Sequence, residues 1–308
     1  MKVLITGSLG TLGRPLHREL RRRGHDVHGC DLRHSDQSGF TRADVAQYRQ
    51  LGEVFDEVDP DVCYHLAAEF GRLNGELYYE ALWRTNVIGT RNIMEFCRLK
   101  GTRMLLASSS EVYGEEAGSE LLQEDLSDRE VPFHPNEYAL SKWVNERQVL
   151  AYERRYPDSF QAMRLRFFNA YGPGESFHPY RSVIALFCGH ALRNEPFTLF
   201  QNYHRTFMYI DDFIPTLANA CERFEAGSVM NIGGVDYRSM EEVAELVLEH
   251  TGASRDLVRL VPQEEHNVRS KRPSIDRARE LLDHDPKIRL EEGIPPTVEW
   301  LRSHVEMP

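Results

Sequence analysis

The chain begins with a short apolar segment that runs directly into a glycine-rich turn and then into a helical pattern. Lys2–Thr6 has the character of a strand, Gly7, Gly10 and Gly13 follow it, and apolar residues recur with helical spacing over Leu12–Arg23. Glycines at this spacing let the backbone turn sharply and approach a pyrophosphate, and the helix N-terminus favours that negative charge. The start of the chain therefore predicts a strand-turn-helix unit that binds a dinucleotide.

The rest of the first half alternates short apolar runs with amphipathic stretches, as in a parallel sheet covered by helices on both faces. We predict further strands at Asp26–Cys30, Asp61–Leu66, Arg103–Ser108 and Gln161–Phe167. The helices predicted between them are Gln47–Val58, Tyr78–Lys100 and Asn136–Tyr156. The predicted fold class is therefore α/β, with a Rossmann-type doubly wound parallel sheet.

After Asn169 the pattern changes, because Tyr171-Gly172-Pro173-Gly174 is a turn sequence and the following segments mix helices with extended pieces. The predicted elements are Ser182–Arg193, Asp211–Ala226, Ser239–Gly252 and Ser274–Leu282 as helices, and Pro196–Phe200 and Val229–Ile232 as extended segments. We predict a dinucleotide-binding domain at 1–170, with returns near 207–235. A smaller, interleaved C-terminal substrate lobe is predicted at 171–206 and 236–308.

The amino-acid composition and net charge limit the kinds of molecule that the protein can bind. The 308-residue chain has 37 Lys and Arg residues against 48 Asp and Glu residues, a formal charge of −11, and 41% hydrophobic residues. These values are typical of a globular protein and exclude disorder, collagen and coiled-coil arrays. An acidic chain does not suit nucleic acid or an anionic membrane surface, so we predict neither as a partner.

Cysteine and histidine positions argue against disulfides and metals. The five cysteines stand far apart without a C-x-x-C pair, and the histidines lack metal-ligand spacing. No segment approaches the roughly 18 to 20 consecutive apolar residues of a spanning helix, and the N-terminus lacks a signal-peptide core. We predict a cytoplasmic protein without a bound metal.

The residue at the end of the second predicted strand bears on the identity of the dinucleotide. Asp31 stands where a carboxylate can hydrogen-bond both ribose hydroxyls, and its charge would repel a 2′-phosphate. This favours NAD over NADP, although Arg33 keeps NADP open. Asp44 and Val45 follow where a third strand edge meets the adenine, and the alternative for Asp44 is a turn cap.

Two further sequence features carry acid-base chemistry. Tyr138 and Lys142 are four residues apart on a predicted helix, so the ammonium group can lie beside the phenol and favour its phenolate. This spacing also arises by chance. The segment from Ser108 to Gly114 follows an apolar strand, which places Ser109 and Glu111 at the carboxyl edge of the sheet, where ligands bind in such folds.

Together these features resemble the extended short-chain dehydrogenase/reductase family of NAD-dependent nucleotide-sugar epimerases, dehydratases and decarboxylases. The resemblance extends over nearly the whole chain. Further similar segments are His65-Leu66-Ala67-Ala68, Thr85-Asn86-Val87-Ile88-Gly89-Thr90, 166–174, 205–212, Asn231-Ile232-Gly233-Gly234 and Lys271-Arg272-Pro273.

The resemblance implies roles for individual residues. Ser109 would hydrogen-bond the sugar 4-hydroxyl, Tyr138 would remove its proton, and Lys142 would bind the nicotinamide ribose while hydride passes from C4 to the nicotinamide. The implied cofactor-binding residues are Gly7, Gly10, Thr11, Leu12, Gly13, Asp31, Asp44, Val45, Leu66, Ala67, Ala68, Asn86, Tyr138, Lys142 and Phe168. The candidate substrate-binding residues are Arg72, Asn74, Ser110, Asn169, Arg181, Arg205 and Arg272.

Glu111 divides the possible reactions. Simple 4-epimerases of the resembled family often hold a small hydroxylic residue at this position, whereas decarboxylases and 4,6-dehydratases, which act at C5, hold Glu. The stretch Asn136–Lys142 instead resembles an epimerase. A carboxylate that only caps the following loop is the structural alternative for Glu111.

We predict a C4 epimerase with tightly bound NAD that acts through a 4-keto intermediate. A nucleotide-glucuronate decarboxylase or a 4,6-dehydratase that uses Glu111 at C5 is the alternative. An alternative of another class is a catalytically silent NAD-binding regulatory protein. The resemblance also implies a homodimer formed through the helices at Tyr78–Lys100 and Asn136–Tyr156.

Overall fold

The structure is a computed structural model that describes residues 1–116, 121–129 and 131–304. The strands, in chain order, are β1 Lys2–Thr6, β2 Asp26–Asp31, β3 Phe40–Arg42, β4 Val62–His65, β5 Arg103–Ser109, β6 Leu121–Leu122, β7 Ala162–Phe167, β8 Ala170–Tyr171, β9 Phe197–Phe200, β10 His204–Tyr209, β11 Val229–Ile232, β12 Asp236–Ser239, β13 Val258–Val261 and β14 Ser270–Pro273.

The α-helices are α1 Gly13–Arg22, α2 Tyr48–Val58, α3 Arg72–Leu77, α4 Tyr79–Trp83, α5 Thr90–Lys100, α6 Leu126–Arg129, α7 Glu137–Arg155, α8 Val183–Leu192, α9 Ile210–Glu222, α10 Met240–Thr251, α11 Asp276–Leu282 and α12 Leu290–Arg302. A π-helical turn covers Arg84–Gly89, and 3₁₀ segments cover Ser110–Glu116 and Arg255–Leu257.

The main sheet is parallel and has seven strands among the described residues, in the order β11-β7-β5-β4-β1-β2-β3. The first strand lies inside it, between β4 and β2. Its alternate residues face opposite sides, so Val3 and Ile5 join one apolar cluster while Leu4 joins the other. Burial on both faces explains why these strands are continuous apolar runs in the sequence.

A second sheet lies opposite the carboxyl edge of the main sheet. We call the region between them, where Glu111 after β5 meets Lys271 of β14, the cleft. The second sheet has the strand order β12-β10-β14-β6, with β8 paired along β10, and β13 pairs with β9 separately. The short strand β6 comes from the first half of the chain, whereas β11 returns to the main sheet beside β7. The chain therefore passes back and forth between the two sheets.

The predicted strands of the main sheet and most helices match the structure to within a few residues. The helix predicted at Tyr78–Lys100 is instead divided into α4, the π-helical turn and α5. At the end of that turn a side chain on Gly89 would meet Val45, with its Cβ 2.7 Å from Cγ2. The segments that carry Val45 and Gly89 therefore approach closely at the π-helical turn. Helical periodicity in the sequence does not reveal such a turn.

Several elements have no clear sequence signal. The helix α12 contains Pro295 and Pro296, which the usual rules take as a helix break. The strands β10, β12 and β14 pair across long sequence separations and are too short for periodicity to identify.

All five cysteines are buried and free. Among the described residues, no helix is long and apolar enough to cross a membrane.

Candidate active site

The glycine-rich turn forms a tightly packed cradle at the carboxyl end of β1. A Cβ atom on Gly13 would lie 2.3 Å from the Gly7 carbonyl oxygen, and Gly7 itself has a φ of +72°. A Cβ on Gly7 would lie 2.8 Å from the Ala67 nitrogen, so the turn also packs against the segment after β4 that includes Leu66 and Ala68. Only glycine permits this packing, which leaves a smooth backbone surface of the kind that holds a dinucleotide pyrophosphate.

Asp31 is fixed at the end of β2, next to this cradle. One carboxylate oxygen accepts a hydrogen bond of 3.0 Å from the Leu9 backbone N–H, and the other accepts one of 3.0 Å from the Arg33 N–H. The Arg33 side chain contacts the Leu9 carbonyl and lies 3.5 Å from the Asp31 carboxylate. A fixed carboxylate here suits ribose hydroxyl donors, and these residues therefore fit NAD.

Asp44 makes the contacts of a turn cap. Its carboxylate accepts a hydrogen bond of 2.8 Å from the Ala46 N–H and lies 3.8 Å from the Arg84 guanidinium. Its neighbour Val45 is buried against Gly89. These contacts are the ones expected if Asp44 caps a turn. A role for Asp44 at the adenine stays a prediction.

The structure brings Ser109 and Tyr138 together. Ser109 ends β5 and Tyr138 lies in the first turn of α7, where the Asn136 side chain caps the helix by accepting from Ala139. The Ser109 side chain lies near enough to the Tyr138 phenol to lower its pKa, and the Ser109 hydroxyl accepts a hydrogen bond of 3.2 Å from the Glu111 N–H. Two hydroxyl groups therefore converge at the carboxyl edge of the main sheet.

Lys142 lies one helical turn after Tyr138 and is buried. Its ammonium group donates a hydrogen bond of 2.9 Å to the Ala107 carbonyl and lies 5.9 Å from the centroid of the Tyr138 ring. Burial lowers the pKa of Lys142 to about 8, with Glu146 opposing the shift. Burial also raises the pKa of Tyr138, and Ser109 opposes that rise. Burial is therefore the dominant influence on the Tyr138 phenol, and the phenolate-favouring effect of Lys142 stays a prediction.

A buried ion pair fixes the strands and the helix behind these residues. The Arg166 guanidinium donates two hydrogen bonds to the Glu146 carboxylate, of 2.9 and 2.7 Å, and Ser108 donates a third of 2.5 Å. Both members of the pair are almost completely buried. Because Ser108 precedes Ser109 on β5 and Glu146 lies on α7, the pair sets the position of the strand relative to the helix.

A second ion pair joins the two sheets at the cleft. The Lys271 ammonium on β14 forms a salt bridge with the Glu111 carboxylate, and the Lys271 side chain is only 1% exposed. Burial opposes the ionisation of Glu111, but Lys271, Arg205 and Arg72 together hold the pKa of Glu111 below its usual value. Glu111 is therefore ionised, and it lies two residues from Ser109 beside a group of cations.

Lys271 pairs with Glu111, whereas its neighbour Arg272 does not. The two residues are neighbours on β14, so their side chains point to opposite sides of the strand. Arg272 is exposed and its guanidinium lies 5.6 Å from the centroid of the Tyr237 ring. The sequence resemblance gave Arg272 as a substrate-binding residue, and that role stays a prediction; the alternation within Ser270–Pro273 is the signal that could have identified Lys271.

The other candidate substrate residues have protein partners. The Arg72 guanidinium pairs with Glu264, and the Arg205 guanidinium donates to the carbonyls of His204, Val268 and Arg269 and to Asn267. The Asn74 amide donates a bond of 2.9 Å to Glu69, and the Asn169 amide donates one of 2.9 Å to the Thr206 carbonyl. Ser110 is buried at the start of the 3₁₀ segment, and Arg181 lies over the ring of Phe70.

Four of the implied cofactor residues also make internal contacts. Asn86 accepts from the Glu69 N–H at 2.8 Å and donates to the Glu69 carbonyl and the Ser141 hydroxyl, so it ties the segment after β4 to α7. Phe168 packs in an apolar cluster, with its ring 6.2 Å from that of Tyr113. Thr11 donates to the Gly174 carbonyl at 3.4 Å, whereas Leu12 packs against the core.

Comparison with known proteins places this site in a family. Residues 3–233 match the family described as "NAD dependent epimerase/dehydratase family". The chain belongs to this family. The resemblance inferred from the sequence and the prediction of NAD are thereby confirmed.

Among the most similar relatives is the UDP-N-acetyl-alpha-D-glucosaminuronate decarboxylase of Bacillus cytotoxicus, which is 29% identical over 98% of each chain. The structure of Thermus thermophilus UDP-glucose 4-epimerase in complex with NAD has a TM-score of 0.88 and 26% identity, and the match covers 99% of this chain and 100% of that one. The structure of MoeE5 in complex with UDP-glucuronic acid and NAD has a TM-score of 0.85 and 29% identity, with 98% and 99% covered. The predicted fold class is confirmed, and the family is one of NAD-dependent epimerases, decarboxylases and dehydratases.

Proposed function

We propose that the protein is an NAD-dependent decarboxylase of a nucleotide-linked uronic acid. The observation that carries this proposal is the Glu111–Lys271 ion pair beside Ser109 and Tyr138. Decarboxylation needs a group that can donate a proton at C5, in addition to the residues that act at C4. The similarity to a glucosaminuronate decarboxylase supports the same substrate class. This proposal reverses the order of preference derived from the sequence, where the epimerase came first.

The charges around the pair suit an anionic sugar. The cations Arg72, Arg205 and Lys271 act on Glu111, and Glu264 acts on Arg205 and Lys271 and pairs with Arg72. Among the described residues of this group, three cations stand against two carboxylates, which is an excess of one positive charge. Such an excess attracts the carboxylate of a uronic acid, which a neutral hexose lacks.

At C4 the chain supplies a proton acceptor and a hydrogen-bond partner. When bound, NAD would supply an acceptor for the hydride of C4 and a donor for its later return. Tyr138 takes the proton of the 4-hydroxyl, with the Ser109 side chain beside it, and Lys142 holds positive charge one turn away. The product of this first step is a 4-keto sugar.

At C5 the ketone makes loss of the carboxylate feasible. The bond between C5 and the carboxylate breaks, carbon dioxide leaves, and the electron pair forms an enolate with the C4 ketone. Because Glu111 is ionised, the transferable proton of the pair is on Lys271. We propose that the pair donates this proton to C5. Return of a hydride to C4 and of the Tyr138 proton to the C4 oxygen would then give a nucleotide-linked pentose, or its amino analogue.

The second candidate is the C4 epimerase. The fold match to UDP-glucose 4-epimerase and the epimerase-like stretch around Tyr138 favour it. In that reaction the 4-keto sugar keeps its C5 substituent and receives the hydride on its other face. The two candidates share every step at C4 and differ only in whether carbon dioxide is lost.

One assay separates the candidates. UDP-glucuronate and UDP-N-acetylglucosaminuronate, carrying ¹³C at the carboxylate, are incubated with the protein and NAD, and both released carbon dioxide and sugar products are followed by NMR. Release of labelled carbon dioxide supports the decarboxylase. A product that retains the label with inverted C4 rejects it in favour of the epimerase, and binding without turnover over a broad panel of nucleotide sugars favours the regulatory alternative.

We also propose that the nucleotide sugar is held mainly by residues 171–206 and 236–308, and the cofactor mainly by residues 1–170 with the returns near 207–235. Lys271 and Arg205 belong to the first of these sets, and Asp31 and Tyr138 belong to the second. Limited changes within each set should therefore affect one ligand. Binding of UDP and of NAD, measured separately, tests this division.

We further propose a homodimer formed by the helices between residues 78 and 100 and by α7. Large apolar side chains are exposed on and beside the first of these segments: Leu77 is 57%, Tyr79 is 63% and Ile88 is 51% exposed. Sedimentation equilibrium at low micromolar concentration is expected to give a dimer for the natural protein and a monomer for Ile88→Arg. A monomeric natural protein would reject the proposal.

A further inference from the structure

The ion pair between Arg72 and Glu264 connects the two sides of the cleft. Arg72 begins α3, in the segment that follows β4 of the main sheet, whereas Glu264 lies in the loop between β13 and β14. The Arg72 side chain is 28% exposed and that of Glu264 is 17% exposed, so both charged groups border solvent. A molecule that enters the cleft can therefore reach this pair, unlike the buried pair of Arg166 and Glu146.

A series of polar contacts links Glu264 to Lys271. The Asn267 amide donates a hydrogen bond of 2.6 Å to the Glu264 carboxylate oxygen that does not meet Arg72, and its own oxygen accepts one of 3.0 Å from the Arg205 guanidinium. Arg205 on β10 is paired directly with Lys271 on β14. Directly paired residues place their side chains on the same face of a sheet. Glu264 therefore belongs to the face of the second sheet on which Lys271 meets its own carboxylate partner.

The backbone of the loop that carries Glu264 is held independently of the ion pair. The Glu264 N–H donates to the Tyr203 hydroxyl at 3.0 Å, and that hydroxyl donates to the Glu264 carbonyl at 3.0 Å. On the main-sheet side the Asn136 amide, two residues before Tyr138, donates to the His266 carbonyl at 3.2 Å. The Glu264 side chain can therefore leave Arg72 while the loop keeps its place.

A carboxylate on the ligand is the natural competitor for Arg72. A guanidinium stays protonated and presents a planar set of N–H donors that fits a carboxylate. When one carboxylate replaces another, the cation keeps a partner, and the displaced Glu264 keeps its hydrogen bond from Asn267. A neutral group would separate the pair and leave a charge unmatched, which is costly in a partly buried site.

We infer that the Arg72–Glu264 pair selects anionic sugars by exchange, such that the carboxylate of a nucleotide-linked uronic acid displaces Glu264 and binds Arg72. The inference rests on the proposed function, which supplies the substrate class. Glu264 is then a specificity-determining residue, because a sugar without a carboxylate cannot compensate for the loss of its contact with Arg72. Loss of carbon dioxide removes the competing carboxylate, so Glu264 returns to Arg72 and the product is held less tightly than the substrate.

The test measures binding and not turnover, so its outcome does not depend on whether carbon dioxide is released. Dissociation constants for UDP-glucuronate and UDP-glucose, which differ only at C6, are measured by titration calorimetry with the NAD-loaded protein. Tyr138→Phe is present in every sample, so that the ligand is not consumed. We define the selectivity as the dissociation constant of UDP-glucose divided by that of UDP-glucuronate.

The variants are Arg72→Gln, Glu264→Gln and the two combined. Glu265→Gln is the matched control, because it removes the charge of the neighbouring, exposed residue of the same loop. Thermal unfolding shows whether each variant folds. If Glu264→Gln does not fold, Glu264→Asp replaces it, since the shorter side chain withdraws the carboxylate from Arg72 and keeps its charge.

We expect Glu264→Gln to raise the selectivity by about tenfold through tighter binding of UDP-glucuronate, and Arg72→Gln to lower it by about 10- to 100-fold. The combined variant should match Arg72→Gln, because Glu264 acts through Arg72. The control should leave the selectivity unchanged. Unchanged selectivity in Arg72→Gln, lower selectivity in Glu264→Gln, or an equal effect of Glu264→Gln with and without Arg72 overturns the inference. The expected selectivities without release of labelled carbon dioxide would support the exchange and reject the decarboxylase alone.

Discussion

The ammonium group of Lys271 forms a salt bridge with the carboxylate of Glu111, 160 positions earlier in the chain. Glu111 follows the central strand β5 of the main sheet, whereas Lys271 lies on β14 of the second sheet. The pair therefore exists only when the two sheets face each other across the cleft. It places the Glu111 carboxylate two residues after Ser109, with the buried Lys271 ammonium beside that carboxylate.

Replacement of Lys271 tests the role proposed for this pair. Lys271→Met keeps a long side chain but removes the charge and the mobile proton, so turnover of a nucleotide uronate should fall by about 100-fold or more. Affinity for NAD should not change, because Lys271 does not face the cradle. Arg272→Met is the comparison on the other face of β14, and a larger loss in that variant would show that the sequence assignment of Arg272 was the better one.

Loss of the phenol at position 138 isolates the step at C4. Tyr138→Phe keeps the ring and removes only the phenol oxygen that lies beside Ser109. We expect turnover to fall by about 10²- to 10⁴-fold, with NAD content of the purified protein unchanged. Reduction of bound NAD on mixing with substrate, followed by absorbance, measures the step directly. Unaltered NAD reduction in this variant would remove Tyr138 from the mechanism.

The charge of Lys142 predicts the alkaline limit of activity. Its pKa of about 8 lies below the ordinary value of 10.5, so the ammonium is lost as pH rises through about 8, and turnover should fall in that range. Glu146 raises the pKa of Lys142, so Glu146→Gln should move this limb to lower pH by about one unit. The pH dependence of turnover checks both statements, with Glu153→Gln on the same helix as the control. A limb that stays in place in Glu146→Gln would contradict the assignment.

The same substitution also has a stability cost that can be measured separately. Glu146→Gln leaves the buried Arg166 charge without its carboxylate partner, and breaking a buried ion pair in this way costs about 3–5 kcal/mol. Denaturant unfolding at neutral pH gives the value. A cost near zero would indicate that water or another carboxylate replaces Glu146.

Asp31 should decide between the two forms of the dinucleotide. In Asp31→Ser the like charge that faces a 2′-phosphate is gone while Arg33 remains, so the ratio of NADP to NAD affinity should rise by about tenfold. Asp36→Ser is the control, since its side chain is 97% exposed and pairs only with His34 among the described residues. Equal ratios in the natural protein and Asp31→Ser would mean that the carboxylate does not face the ribose.

The sequence by itself determined the parts of this protein that local rules govern. The strand, glycine-rich turn and helix from Lys2 to Arg22 follow from one continuous segment, and the spacing of Tyr138 and Lys142 follows from the helical repeat. The family resemblance rested on segments of this kind. Each depends on interactions between residues close in the chain, so pattern and propensity suffice to recognise it.

The tertiary structure decided which of the remaining residues reach the site. Lys271 faces Glu111 and Arg272 does not, because the pairing of β14 with β10 fixes which face of a four-residue strand meets the cleft. Asn86 is buried at a π-helical turn that periodicity does not reveal. These placements arise from contacts between segments distant in the chain, and a one-residue change in the register of β14 would exchange Lys271 for its neighbour.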